Sequence, residues 1–266
     1  MTMVKISERE YEKFAQLIFD EIGITLKGEK KALMESRFFK RMIHHRLDAY
    51  EDYYRLCIQD IHEKIEMLNL ITTNETYFFR ENEHFDFLKE YLMQYRGNTK
   101  VRIWSAASSV GAEAYSIAML CDTYLPSNMW EVLGSDINSH VVKKARMGLY
   151  PVTWAERISP EYRHKYCLRG KGKYEGEFLI DRQLAKNVRF KSGNLLELNA
   201  SFGHFNIVFL RNVLLYFNDE TRTKVIKNII SNMRSGSFLI ISQTENLNSL
   251  NISELEQVHS SIFKVK

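Results

Sequence analysis

The segment Val101–Leu120, VRIWSAASSVGAEAYSIAML, has the strand–loop–helix order of a nucleotide-binding turn, but it contains a single glycine, Gly111. A loop that binds a pyrophosphate needs several glycines, because backbone N–H groups must approach the phosphates closely. Glu113 stands two residues after the glycine and would repel a phosphate. The loop therefore favours a cationic ligand without phosphate, and S-adenosylmethionine, with a sulfonium and an ammonium group, has that chemistry. Alternatively, Glu113 is only a first-turn acid that the helix dipole favours.

Polar residues also stand at the ends of three further predicted strands. Asp136 ends the strand WEVLGSDI and is placed to accept both hydroxyls of a ribose, as acids do in NAD enzymes; alternatively, it caps the following helix. Asn194 and Leu195 follow a third strand, where an amide beside an apolar residue could read and enclose an adenine. Arg211 and Asn212 follow an entirely apolar strand. In an open parallel sheet, ligands bind at this carboxyl edge.

The stretch Thr72–Glu81, TTNETYFFRE, mixes polar, aromatic and basic residues without helical or strand periodicity. An irregular loop between domains would explain Phe78 and Phe79 as buried packing residues. It would leave the polar residues without a role: Asn74, Thr76 and Arg80.

From residue 100 onward, strand patterns alternate with helix patterns, and SSIFKVK is a candidate for the last strand. This alternation predicts an α/β fold with a doubly wound, mostly parallel sheet, in which Trp104 and Trp130 are core residues. Pro151–Lys186 is long for a connection, and its later part, RGKGKYEGEFLI, is typical of a hairpin. The sequence therefore predicts a small inserted β-subdomain at about residues 155–186.

The first third of the chain predicts an all-helical domain. Ser7 and Glu10 form a capping box before the first helix. A second helix is expected over Lys30–Arg46, and basic residues recur on one of its faces. Within Lys27–Arg46 there are seven Lys or Arg and two Glu, so this segment could meet an acidic partner, although the whole chain carries a net charge of only +4.

Composition excludes some classes of protein. No apolar run is long enough to span a membrane, and the first ten residues lack the apolar core of a signal peptide, so we expect a cytoplasmic protein without membrane insertion. The three cysteines are widely spaced, form no metal-binding pattern and are expected to be reduced thiols.

Taken together and in order, these stretches resemble the chemotaxis receptor methyltransferases, the CheR-type enzymes, nearly end to end. The resemblance is carried by EIGITLKGEKKALMESRFFKRM, TTNETYFFRE, WSAASSVGAEAYSIAM, SDI, GNLLE, FLRNVLLYFN and SQTEN. It implies a Rossmann-like methyltransferase fold and transfer of a methyl group from S-adenosylmethionine to chemoreceptor glutamates, which yields γ-methyl esters and S-adenosylhomocysteine. It also implies a helical receptor-recognition domain over residues 1–82 and a methyltransferase domain over residues 83–266.

The resemblance also implies roles for individual residues. Arg80 and Tyr216 would lie near the transferred methyl group. The basic face of the second helix, formed by Arg37, Lys40 and Arg41, would meet the acidic methylation region of the receptor, and the hairpin could bind a receptor C-terminal peptide. The residues expected to bind the cofactor are Asn74, Thr76, Arg80, Glu113, Asp136, Asn194, Leu195, Asn212 and Val213.

The chain departs from the family pattern at Ala112, because two adjacent acids followed by proline are usual after the loop glycine. This departure leaves open a non-catalytic module that binds S-adenosylmethionine. A methyltransferase with another acceptor, such as a nucleic acid or a small molecule, is a second alternative, although no Asn/Asp-Pro-Pro-aromatic motif is present. An NAD enzyme is disfavoured by the loop. We expect a monomer that binds no nucleic acid and no metal.

Overall fold

The computed structural model describes residues 5–26, 30–197 and 200–266. The chain divides into two compact units. One comprises residues up to Thr73 together with Tyr216–Thr221, and the other comprises Asn74–Leu215 and Arg222–Lys266. No helix among the described residues is both long and apolar enough to cross a membrane.

The first unit is a helical bundle, as predicted. Its first helix begins with the expected capping box, because the Ser7 side chain accepts from Glu10 N while Glu10 Oε2 accepts from Ser7 N at 2.9 Å. That helix ends at Gly23, whose φ of 73° is the left-handed conformation that glycine adopts readily. The helices are α1 (Glu8–Ile22), α2 (Lys31–His45), α3 (Tyr50–Gln59) and α4 (Ile61–Ile71).

A buried carboxylate ties the helices of this unit together. Glu63 on α4 is 3% exposed and accepts from Arg41 Nε at 2.8 Å and from the Tyr53 hydroxyl at 2.9 Å. His45 Nε2 lies 2.8 Å from the same carboxylate. A carboxylate removed from water needs such partners, and here they come from both α2 and α3.

The second unit contains the predicted doubly wound sheet. Seven strands run in the order β6-β2-β1-β7-β8-β10-β9, and only β10 pairs in antiparallel fashion with its neighbours. One strand, β9, was not predicted from the sequence. The strands in chain order are β1 (Val101–Ala106), β2 (Trp130–Asp136), β3 (Leu149–Pro151), β4 (Cys167–Arg169), β5 (Glu177–Ile180), β6 (Val188–Ser192), β7 (Phe205–Leu210), β8 (Met233–Ile241), β9 (Leu255–His259) and β10 (Ile262–Val265).

Helices cover the sheet: α6 packs against β1 and β2, and α7 packs against β2 and β6. Trp104 and Trp130 are at most 1% exposed, which confirms their prediction as core residues. The remaining helices in chain order are α5 (Asn82–Gln94), α6 (Ala112–Tyr124), α7 (Ser139–Met147), α8 (Pro160–Tyr166), α9 (Arg182–Ala185) and α10 (Asp219–Ile230).

The predicted inserted β-subdomain is a separate three-stranded antiparallel sheet in the order β3-β5-β4. Its strands β4 and β5 form the hairpin expected from RGKGKYEGEFLI. The sheet begins at Leu149, before the residue at which the insert was expected to start.

Replacing the buried Glu63 by Gln should destabilise the helical unit. The change leaves the half-buried Arg41 guanidinium without its charged partner, and we expect the free energy of unfolding in urea to fall by about 2 kcal/mol or more. Glu51→Gln is the matched control, because Glu51 pairs with Lys13 at 2.7 Å where both side chains are about one-third exposed. Such a pair contributes less than about 1 kcal/mol. Equal losses in the two variants would contradict this account.

Candidate active site

The loop between β1 and α6 takes three left-handed residues with a single glycine. Ala107, Ser109 and Gly111 have φ values of 63°, 50° and 90°. Gly111 cannot be replaced without a clash, because a Cβ there would lie 2.8 Å from the Phe190 ring and 2.9 Å from Ala145 Cβ. At Ser109, hydrogen bonds offset a cost of about 1–2 kcal/mol for a left-handed residue.

Those hydrogen bonds come from Asp136 and from the segment before α5. Ser109 N donates to Asp136 Oδ2 at 2.8 Å, and Ser109 Oγ donates to the Asn74 carbonyl at 2.9 Å. Ser108 N donates to the Ser135 carbonyl at 2.9 Å. Two of the predicted residues, Asn74 and Asp136, therefore meet at this loop.

Asp136 ends β2 and is buried. Burial raises the pKa of its carboxyl, and hydrogen bonds from backbone N–H groups oppose that rise. Its Oδ1 accepts from Asn138 N at 2.9 Å, while Asn138 itself caps α7 by accepting from His140 N and Val141 N. The alternative of Asp136 as helix cap is therefore wrong. A carboxylate has about four lone-pair sites, so acceptor capacity is left for ribose hydroxyls.

Glu113 is more than a surface acid of the first helical turn. Its side chain is 15% exposed, its Oε1 accepts from Ser105 Oγ at 2.7 Å, and its Oε2 lies 3.5 Å from Arg211 Nη1. Burial raises the pKa of its carboxyl, whereas Arg211 and the serine hydroxyl lower it. The helix dipole alone does not explain an acid held in this way.

The position of Arg211 at the carboxyl end of β7 was predictable from the sequence, but the cluster of charged residues around it was not. The Arg211 side chain is 1% exposed, its Nη2 donates to the Arg80 carbonyl, and the same nitrogen lies 3.6 Å from Glu81 Oε2. Glu81 also accepts from Ser242 Oγ at 2.8 Å. Arg211 lowers the pKa of Glu81 against the opposing effect of burial.

His84 lies beside this cluster and carries no charge at neutral pH. Its ring is buried, its Nε2 is 2.7 Å from Ser261 Oγ, and its Nδ1 is 3.4 Å from Glu81 Oε2. Burial, and next the charge of Arg211, lower the pKa of His84 to about 4. A glutamate three residues before a histidine, at the start of α5, was the available signal for this contact.

The segment after β7 is shaped by a second acid that the sequence did not reveal. Asn212 has a φ of 58°, its backbone N donates to Glu245 Oε2 at 3.1 Å, and its Nδ2 donates to Ser242 Oγ at 2.8 Å. Glu245 is buried and also accepts from Leu214 N at 2.8 Å. These bonds fix the backbone on both sides of Val213.

Arg80 lies in a backbone segment of unusual conformation. Its neighbours Phe79 and Glu81 have φ values of 54° and 59°, and Phe79 N donates to Ser116 Oγ at 3.0 Å. The Arg80 guanidinium donates to the Glu75 carbonyl at 3.2 Å, and its Cζ lies 5.6 Å from the centroid of the Tyr77 ring. The charge of Arg80 contributes to lowering the pKa of the Glu113 carboxyl, against the opposing effect of burial.

The remaining cofactor candidates are held by local contacts. Thr76 is half-buried in the same loop as Arg80. Asn194 Oδ1 accepts from Leu196 N at 3.0 Å, and the Leu195 carbonyl accepts from Asn228 Nδ2 at 3.0 Å. Residues 198–199 lie outside the described part of the chain.

Tyr216 belongs to the helical unit together with the start of α2. Its carbonyl accepts from Thr25 N at 2.9 Å, and Lys30 Nζ lies 4.9 Å from the centroid of its ring. Burial, and next the charge of Arg37, lower the pKa of Lys30.

Two of the three expected receptor contacts are engaged inside the helical unit. Arg37 Nη1 donates to the carbonyls of Leu70 and Thr72, and Arg41 pairs with Glu63. Lys40 is exposed. The periodicity of α2 defined a basic face but could not reveal the acceptors opposite it.

Gly111→Ala should weaken both the fold and cofactor binding. The added methyl group meets Phe190 and Ala145, and overpacking of this kind costs about 1–3 kcal/mol beyond the backbone cost. Gly236→Ala is the matched control, because Gly236 has a φ of 86° with nothing within 4 Å of its Cβ position. We expect calorimetry with S-adenosylmethionine to detect weaker binding in the first variant alone. Equal unfolding free energies and affinities in both variants would contradict the packing argument.

The described residues form no group of three or more His, Cys, Asp or Glu side chains that could hold a metal ion. The site instead assembles carboxylates, amides and arginines at the carboxyl edge of the sheet, with no cradle of glycines for phosphate. Its chemistry suits a ligand with hydroxyl groups and positive charge.

Comparison with known proteins gives two family matches that together cover most of the chain. A family model described as "CheR methyltransferase, SAM binding domain" matches residues 74–263, and "CheR methyltransferase, all-alpha domain" matches residues 9–72. The "Chemotaxis protein methyltransferase" of Salmonella typhimurium is 34% identical over 250 residues, which cover 92% of this chain and 86% of that protein. The protein of the same name from Vibrio parahaemolyticus is 30% identical over 281 residues, and the match covers 100% of both chains.

Proposed function

Because the chain belongs to the CheR methyltransferase family, we propose that it transfers the methyl group of S-adenosylmethionine to glutamate side chains of chemoreceptors in chemotaxis adaptation. The observation that carries this function is the pair of acids at the carboxyl edge of the sheet, Glu113, which accepts from Ser105 and faces Arg211, and the buried Asp136, which accepts from Ser109 N. Bound S-adenosylmethionine supplies an electrophilic methyl group, and the product is S-adenosylhomocysteine.

The acceptor needs no general base. A glutamate carboxylate is already ionised at pH 7, so its oxygen would attack the methyl carbon directly, with the S–CH3 bond breaking and S-adenosylhomocysteine leaving. The chain's own residues then contribute mainly by alignment, which accounts for up to about 7–11 kcal/mol in favourable cases. Arg80 has this role in our proposal: its guanidinium orients the reacting groups, and the ring of Tyr216 closes the site against water.

The cofactor contacts follow from the chemistry of each group. Glu113 would face the positive charge of the cofactor, and Asp136 would accept from the ribose hydroxyls. Asn194 and Leu195 would bind the adenine. The full set proposed to bind the cofactor is Asn74, Thr76, Arg80, Glu113, Asp136, Asn194, Leu195, Asn212 and Val213.

The departure from the family pattern at Ala112 does not favour a module without activity. Ala112 is fully buried at the start of α6, and its carbonyl accepts from Ser116 Oγ at 2.8 Å. An apolar residue suits this buried position, and the second acid of the family pattern is still present as Glu113. The catalytic hypothesis is therefore favoured over the non-catalytic one.

We further propose that residues 1–82, apart from the cofactor-binding residues Asn74, Thr76 and Arg80, recognise the receptor, and that residues 83–266 complete the transferase domain, in a cytoplasmic monomer that binds no nucleic acid. The basic face of α2 meets the acidic methylation region. Since Arg37 and Arg41 hold the helical unit together, Lys40 supplies the freest charge of the three.

The inserted subdomain is proposed to bind a receptor C-terminal peptide as an added strand. Strand β4 lies at one edge of the small sheet, so its outer backbone groups are not used by β5. Gly170 shapes the hairpin beside it, because a Cβ there would lie 2.0 Å from the Tyr174 carbonyl.

Arg80→Ala should abolish methyl transfer while the fold survives, because the reacting groups lose their orienting cation. The measurement is incubation with methyl-labelled S-adenosylmethionine and receptor-containing membranes, followed by counting of base-labile label in the receptor. Arg96→Ala is the matched control, because Arg96 is an exposed arginine that likewise donates to nearby backbone carbonyls. Turnover near that of the unmodified protein in Arg80→Ala would refute the assignment.

Lys40→Glu should raise the KM for receptor without changing the affinity for S-adenosylmethionine. The substitution reverses an exposed charge that is proposed to face acidic receptor helices, and the effect should shrink at high salt. Lys143→Glu makes the same charge change at an exposed position on α7 and serves as control. If both variants show the same KM, Lys40 lies outside the receptor contact.

A further inference from the structure

Arg211 is the most deeply buried ion of the candidate site. Its side chain is 1% exposed, yet within the described part of the chain neither Nε nor Nη1 has a hydrogen-bond partner. Unpaired donors of a buried guanidinium are costly and call for an explanation. The cation is compensated by carboxylates at slightly longer range, with Glu113 at 3.5 Å and Glu81 at 3.6 Å.

The guanidinium reaches two different parts of the site. Its Nη1 points to the Glu113 carboxylate, and its Nη2 donates to the carbonyl of Arg80. The backbone on either side of that carbonyl is left-handed, at Phe79 and Glu81. Such conformations persist only where surrounding contacts enforce them.

We propose that Arg211 is a positioning residue for methyl transfer, because one guanidinium fixes Glu113 on the cofactor side and the Arg80 backbone on the acceptor side. This inference rests on the roles proposed above for Glu113 and Arg80. A planar, forked cation can meet both groups at once, whereas the point charge of a lysine cannot.

Arg211 also influences the charge of the Glu113 carboxyl. Arg211 and Arg80 are the cations that act on its carboxyl, and Glu81 is the anion. His84 is neutral beside them. Within the cluster of Glu81, Glu113 and Arg211, two carboxylates face one guanidinium.

The sign of each expected pH effect follows from these neighbours. Binding of S-adenosylmethionine should weaken as pH falls through the pKa of Glu113, because the protonated acid no longer attracts the cofactor. Arg211→Gln removes a cation that lowers the pKa of Glu113, so the midpoint should move to higher pH. Glu81→Gln removes an anion that raises the pKa of Glu113, so the midpoint should move to lower pH.

The experiment is calorimetric titration of the full chain with S-adenosylmethionine across the acidic pH range, for both variants and for Arg102→Gln. Arg102 is the matched control because it also meets a carboxylate, Glu131 at 2.5 Å, and a carbonyl, that of His204 at 2.7 Å. It lies in β1 away from the carboxyl edge. Opposite shifts in the two variants and none in the control are expected. An unchanged midpoint in folded Arg211→Gln or in Glu81→Gln overturns the charge role.

Arg211→Lys tests positioning separately from charge. It keeps the cation, so the pH midpoint of binding should stay near that of the unmodified protein. We expect kcat for receptor methylation to fall about 10-fold or more, because the Arg80 carbonyl loses its charged hydrogen-bond donor. Unchanged kcat overturns the positioning role. If Arg211→Gln does not fold, Glu81→Gln decides the charge role and Arg211→Lys decides the positioning role.

Glu113→Gln separates failure of this inference from failure of the proposed site. If Glu113→Gln binds S-adenosylmethionine as well as the unmodified protein does, the proposed cofactor contact is wrong. If Glu113→Gln loses binding while the Arg211 and Glu81 variants keep the original midpoint and kcat, the site stands and the role of Arg211 is wrong.

Discussion

A guanidinium buried between two carboxylates organises the carboxyl edge of the sheet. Removed from water, Arg211 needs compensating charge, and Glu81 and Glu113 supply it from two separate segments of the chain. Arg211 also donates a hydrogen bond to the Arg80 carbonyl, which restricts the backbone at that residue. One electrostatic requirement thus brings the start of α5, the start of α6 and the end of β7 to a single place.

The loop after β1 satisfies a different constraint by different means. It follows a path with three left-handed residues, and only Gly111 has the conformational freedom of glycine. Hydrogen bonds from Ser109 to Asp136 and to the Asn74 carbonyl hold the rest. A loop fixed in this way, with acids close by, suits a cationic cofactor without phosphate better than a dinucleotide.

Strand alternation, the capping box at Ser7 and the polar residues at strand ends were predictable, because each depends on local sequence or on the topology of parallel sheets. The contacts of Arg211 with Glu81 and Glu113 were not, because nothing in the local sequence indicates which acids meet the end of β7. The engagement of Arg41 by Glu63 was hidden for the same reason: helical periodicity defines a face but not what lies opposite it. Strand β9, mostly exposed, lacked the apolar signal of the central strands.

The central claim is that this chain forms methyl esters on receptor glutamates with S-adenosylmethionine as donor. The most direct measurement is mass spectrometry of a chemoreceptor cytoplasmic fragment after incubation with the protein and a cofactor carrying an isotope-labelled methyl group. The account predicts labelled methyl groups on glutamate side chains that mild base removes. Label on another residue type, or cofactor binding without any labelled product, would contradict it.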